Sequence, residues 1–298
     1  MGLAGLGLAA RSAATLFPGV FKAPAYFTEP WLLAALIALV LLVSAYAVKL
    51  ARNPAAVRED FTDPSLLGFC GALPVGMTLV AGGLGPYAPE AASALWWSGC
   101  ALLAAFQVWG LYRLLLGGIE LARLNAGWLI VLVGGIVVPG PGVALGHAEA
   151  SRFFFGFSAS VAPILMALLV FRAAVAVPLA EALRPTWFIL LVPPSLIYAN
   201  GLALYPEFAL LDNLYFFALM LACALLVYAR GFLRWPFAPA WWAFTFPLDA
   251  LAYAAVRFAQ EHPAPLWKGI AGATLLLAML AVLLVLLRTL RSAASRRA

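Results

Sequence analysis

Gly127-Trp-Leu-Ile-Val-Leu-Val-Gly134-Gly-Ile-Val-Val-Pro139-Gly-Pro141-Gly-Val-Ala-Leu-Gly146 decides how this chain folds. The stretch carries no charge and is long enough to cross a bilayer, which takes about 20 apolar residues. Its second half nevertheless holds the two residue types that most disturb a helix. Proline has no N–H to give and leaves a carbonyl without its helical partner. In lipid such an unpaired group costs several kcal/mol, so a broken helix is tolerated only where protein or a water-filled cavity covers it. A span of this kind belongs inside a bundle.

Working outward, the rest of the chain is of the same material. Hydrophobic residues make up 65% and charged residues 10%, against a usual charged share of about 25%. The 298 residues are nearly consumed by ten apolar segments: Met1–Phe17, Trp31–Lys49, Leu66–Gly85, Ala91–Leu116, Gly127–Gly146, Ser151–Arg172, Thr186–Tyr205, Leu210–Arg230, Ala240–Arg257 and Leu266–Arg288. The expectation is an all-α integral membrane protein, one transmembrane domain over residues 1–298. Met1 is followed directly by Gly-Leu-Ala-Gly-Leu-Gly-Leu with no basic stretch, so no cleavable leader is expected.

The charges set the orientation. Lys49, Arg52, Arg58, Arg113, Arg123, Arg172, Arg184, Arg230, Arg234, Arg288, Arg291, Arg296 and Arg297 fall on one side of the ten spans. Lys22, Arg152, Arg257 and Lys268 fall on the other, and Arg11 lies within the first span. Thirteen against four places both termini in the cytoplasm, in the plasma membrane of a bacterium. The net charge of +6 is this loop bias and not a nucleic-acid surface, so no nucleic-acid partner is expected.

The irregular spans alternate with regular ones. The third holds Pro74 with Gly68, Gly71 and Gly76; the seventh holds Pro193, Pro194 and Gly201; the ninth holds Pro247; the first has Gly2, Gly5 and Gly7. The second, fourth, eighth and tenth contain no internal proline, while the sixth carries Pro163. Short outer connections such as Pro86–Glu90 and Pro206–Ala209 pair the spans as five helical hairpins. This arrangement predicts an inner ring of five kinked helices around a central pore. Pro185-Thr-Trp187-Phe188 places a proline eight residues on, at Pro193, and Pro239-Ala-Trp241-Trp242 repeats the pattern at Pro247.

Few residues point to chemistry. The chain lacks HExxH, GxSxG, Walker, CxxC and dinucleotide motifs. Cys70, Cys100 and Cys223 have no metal-like spacing, so neither metal nor cofactor is expected. His147 with Glu149, and His262 beside Glu261, read as solvated loop pairs. Asp249, two residues after Pro247, is the polar group most expensive to place in a span; it either relays a proton or binds a cation, or it pairs with a neighbouring helix or the freed backbone and holds the bundle together. Asn200, Ser195, Thr78 and Thr245 read as helix–helix contacts. Phe246, directly before Pro247, is one of twenty phenylalanines, but a ring at a helix break can swing into a lumen and close it by dewetting.

The run WWAFTFPLDALAYA resembles the ninth helix of the tellurite-resistance/dicarboxylate transporter family, which includes bacterial TehA proteins and plant slow-type anion channels. MGLAGLGLA, GWLIVLVGGIVVPGPGVALG followed by RFFFGF, and RPTWFILLVPPSLIYA agree in the same order. The resemblance covers essentially the whole chain. It implies a homotrimer with a pore in each protomer, odd-numbered helices around that pore, and a phenylalanine plug at the position of Phe246. It further implies transport of small inorganic or organic anions, dicarboxylates or sulfite, with tellurite resistance in some bacterial members. The helix breaks then mark pore-lining positions: Gly5, Pro74, Pro139, Pro141, Pro193, Pro194 and Pro247. In relatives the first helix usually begins several residues earlier, and a histidine often precedes the proline in the loop that here reads Glu59-Asp-Phe-Thr-Asp63-Pro64. A passive anion pathway is the expected function. The alternatives are a proton-coupled carrier of dicarboxylate or sulfite using Asp249, and a membrane-embedded enzyme or assembly subunit.

Overall fold

The computed structural model describes residues 1–20, 24–208 and 210–295. Lys22, Arg296 and Arg297 of the charge count, and Ala209 of the outer loop, lie outside the described residues. Within them the chain is helical, with no strand. In chain order the α-helices are α1 (Gly2–Leu16), α2 (Pro24–Arg52), α3 (Pro54–Thr62), α4 (Pro64–Cys70), α5 (Ala72–Leu84), α6 (Pro89–Leu115), α7 (Gly127–Val133), α8 (Pro139–Ala144), α9 (Ala148–Val175), α10 (Val192–Leu204), α11 (Leu211–Tyr228), α12 (Thr245–Glu261) and α13 (Pro265–Ser295). Tighter 3-10 runs precede several of them, notably Gly134–Ile136, Glu181–Leu191 and Pro239–Phe244.

Eight stretches among the described residues are long and apolar enough to cross a membrane. They correspond to the second through eighth and the tenth segments read from the sequence. The first and ninth fall short: α1 has 15 residues and α12 has 17, although Pro239–Phe244 lengthens the latter. The second helix starts at Pro24, before the expected Trp31. Its polar extension is held by Glu29, which accepts from Arg11 of α1 at 3.0 Å. Burial separates the two kinds of span. In the third, fifth and seventh, 61, 78 and 83% of the most apolar window is buried; in the second, fourth, sixth, eighth and tenth the share is 11 to 33%. The broken spans are therefore the enclosed ones. Pro163 lies on an exposed face of α9 and does not interrupt it.

Each break coincides with the start of a new helix. Pro74 is the third residue of α5, Pro139 and Pro141 the first and third of α8, Pro193 and Pro194 the second and third of α10, and Pro247 the third of α12. In a first turn the N–H has no intrahelical acceptor, so proline there costs nothing and sets the helical φ. Side chains donate to carbonyls of these spans, in places adding to a backbone bond, as at Val138 O, which also accepts from Gly142 N at 3.0 Å. Gln107 Nε2 donates to Leu132 O at 3.2 Å and to Ser158 Oγ at 3.0 Å. Trp96 Nε1 donates to Val138 O at 3.2 Å, Thr186 Oγ1 to Leu183 O at 2.7 Å and Thr245 Oγ1 to Trp242 O at 2.8 Å. Thr78 and Thr245 donate within their own spans, Thr78 to Val75 O, while their side chains stand against Gly99 of α6 and Gly2 of α1.

The described chain divides into two compact units. One comprises Met1, Leu32–Pro178 and Ala203–Pro206. In it α5 pairs with α6, and α7 and α8 with α9. The tightest seam joins α4 to α7. A Cβ on Gly71 would lie 2.7 Å from Val131 Cα, and one on Gly68 would run into the Gly127–Trp128 peptide. The link between α3 and α4 is tied down by Trp109 Nε1 to Phe61 O at 2.9 Å, Trp128 Nε1 to Pro64 O at 2.9 Å and Asn125 Nδ2 to Ser65 O at 3.0 Å. Gln107→Leu is expected to cost about 1–3 kcal/mol, since the buried Leu132 carbonyl and Ser158 hydroxyl each lose a donor. A lowered melting temperature in detergent would show it; an unchanged one would mean the break needs no such partner.

The other unit comprises Gly2–Trp31, Leu179–Leu202 and Glu207–Ala298. Here α13 lies along α12, and α1 packs on both. The two proline–tryptophan repeats seen in the sequence adopt the same form, a 3-10 run leading into an α-helix. Those runs lie side by side, with Phe188 edge-on to Phe244 at 4.6 Å.

Candidate functional site

Five of the residues singled out from sequence meet in the second unit, where α1 runs beside α12 in the same direction. Gly2 faces Thr245 and Gly5 faces both Phe246 and Asp249. Further along, Gln260 Nε2 donates to Ser12 O at 3.3 Å and to Thr15 Oγ1 at 2.9 Å. Glycine is needed at position 5 because of this approach: a Cβ there would lie 2.7 Å from Asp249 Oδ2 and 3.0 Å from the Phe246 ring.

Phe246 is 6% exposed. It sits in the first turn of α12, immediately before Pro247 and two residues after the 3-10 run ends. The ring is thus carried at the junction of two windings, against the bare backbone of α1. Asp249 shares that seam and is 1% exposed. Neither of its oxygens has a hydrogen-bond partner among the described residues; the Leu6 amide faces the carboxyl without hydrogen-bond geometry. Pro193 and Pro194 open α10 in the same unit, and the hydroxyl of Ser195 beside them is buried without a hydrogen-bond partner among the described residues.

Pro74, Pro139 and Pro141 lie in the first unit, where α5 packs on α8. They shape backbone and present no cluster of charge. Among the described residues no group of three or more His, Cys, Asp or Glu side chains could hold a metal. His147 is not merely solvated: its Nε2 lies 2.6 Å from Ser93 Oγ and its ring stacks on Trp96 at 4.9 Å. His262 stacks on Phe258 at 4.2 Å and reaches Asp212 at 3.3 Å. Sequence reading passed over Gln107, Trp96 and Asn125, whose side chains serve the broken backbone. A lone amide inside an apolar span was the available signal for Gln107.

The seam of α1 and α12 thus sets one buried aromatic ring and one buried carboxyl against glycine. A family model described as voltage-dependent anion channel (SLAC1) matches residues 1–290. The chain belongs to this family. The SLAC1 match takes in both units and every residue of the α1–α12 seam. Within it, the S-type anion channel SLAH2 of Arabidopsis thaliana is 29% identical over 121 residues, which amount to 40% of this chain and 23% of that protein. As a member of the SLAC1 family with eight long apolar helices, the chain is a multi-pass membrane protein.

Proposed function

We propose that the chain is a passive pathway for small anions, closed in the present conformation by the ring of Phe246. In this reading the first, third, fifth, seventh and ninth spans are the inner helices and the prolines that restart them border the path. Copies assemble as a homotrimer in the bacterial plasma membrane, both termini facing the cytoplasm. The observation that carries the reading is the placement of Phe246: a buried ring at a change of winding, set against a glycine, in a chain of the anion-channel family. An apolar constriction of that kind stops ions by excluding their water. Reconstituted protein in planar bilayers should pass chloride or nitrate in proportion to voltage, with no dependence on a proton gradient. Flux that saturates and stops when the proton gradient is collapsed would overturn it.

One observation favours the second reading, a proton-coupled carrier of dicarboxylate or sulfite. Asp249 is an enclosed carboxyl without a hydrogen-bond partner among the described residues, and ionisable groups in spans often belong to proton relays. The two readings part at Asp249→Asn. For a channel, the variant should keep current within about twofold of wild type, because the carboxyl only fills the seam with Gly5. For a carrier, proton-driven uptake of malate or sulfite should vanish while the protein stays folded.

A further inference from the structure

α12 is enclosed on nearly every side. From Thr245 to Ala259 only Tyr253 and Arg257 are not buried. They stand seven and eleven residues beyond Phe246. At 100° per residue both point within about 20° of the direction of Phe246, at roughly 10 and 16 Å further along the axis. The strip that is buried at Phe246 is therefore partly exposed at Tyr253 and ends in a guanidinium.

That guanidinium is only loosely engaged. Arg257 Nη1 donates to Gln260 Oε1 at 3.4 Å and Nη2 lies 3.7 Å from Glu261 Oε1. Glu261 is itself half exposed, and an ion pair of that length in water holds little. Arg257 Nε is buried and has no hydrogen-bond partner among the described residues. Arg257 lies four residues before the end of α12, beside the outer loop, where a charged side chain can stay hydrated.

We propose that Arg257 and Tyr253 form a binding subsite for a small halide or oxyanion in the outer half of the path that Phe246 closes. The guanidinium supplies positive potential, and the phenol hydroxyl supplies a donor nearer the plug. Glu261 weakens the site enough for the ion to leave, as conduction requires. The proposal rests on the anion-pathway reading.

The test uses full-length protein carrying Phe246→Ala, reconstituted in planar bilayers, with Arg257→Gln, Arg257→Lys or Arg257→Cys added. At ~20 mM chloride Arg257→Gln should cut current about fivefold, and at ~1 M, where the screening length is about 3 Å, the gap should close. Arg257→Lys should retain most of the current at both concentrations. A cationic methanethiosulfonate applied from outside should restore Arg257→Cys, and an anionic one should depress it further. Phe246→Ala alone, which keeps Cys70, Cys100 and the exposed Cys223, reports any background reaction. Current insensitive to residue 257 at low salt, a loss equal at all salt concentrations, or indifference to both reagents would overturn the subsite while leaving the pathway standing. A folded Phe246→Ala protein that passes no anion would bring down the pathway and the subsite together.

Discussion

Phe246→Ala is expected to raise anion current at least tenfold in a protein that still elutes as a single species. The ring is 6% exposed and rests against Gly5. In a solid core, truncating such a ring leaves a cavity and costs about 3–5 kcal/mol. In a closed path the same truncation leaves room for water, and an opening wide enough for water removes the dewetting barrier that stops ions. The two outcomes separate cleanly. A plug gives more current with a modest fall in melting temperature; a core residue gives a large fall in stability and no current. Phe246→Leu, which keeps an apolar body in place, should leave most of the barrier standing. A folded alanine variant with the current of wild type would remove Phe246 from the mechanism.

The second large effect concerns stability. Gly68→Ala is expected to lose at least the ~1–3 kcal/mol typical of overpacking, and Gly68→Leu to yield no folded protein. The added carbon would meet the carbon, oxygen and following nitrogen of the Gly127 peptide, and backbone cannot swing aside as a side chain can. Gly76→Ala is the control, because no atom lies within 4 Å of a Cβ at that position. Thermal unfolding in detergent followed by size-exclusion chromatography would read both. Equal melting of Gly68→Ala and wild type would mean that α4 and α7 are free to separate.

Much of this was legible in the order of residues. Prolines at 74, 139, 193 and 247 marked which spans would be enclosed, because an unpaired carbonyl is not tolerated against lipid. The spacing from Pro185 to Pro193, repeated from Pro239 to Pro247, marked two segments that do share one form. The manner of the break was not legible. Proline deletes one donor, but whether the residues before it bend or tighten into a 3-10 run depends on packing such as Phe188 on Phe244. The first turns of α2 escaped because a search for apolar runs stops at Glu29, a carboxylate held by the distant Arg11 and by the neighbouring Thr28 hydroxyl. Gly5 and Asp249 were both noticed, yet nothing local says that residues so far apart in sequence face each other. Arg257 was taken as one more outer charge; only the burial of its neighbours on α12 gives it meaning.

The run Pro239–Phe244 is wound at about three residues per turn and α12 at about 3.6. Rewinding those six residues to the looser pitch would draw the segment in by roughly 3 Å and swing whatever follows through roughly 120°. Gly2 and Gly5 offer α12 a smooth bearing on which to turn. Phe246 is mounted like the bit of a key on a shaft with a screw thread behind it, so a change of pitch upstream would carry the ring a third of a revolution without tilting any rod.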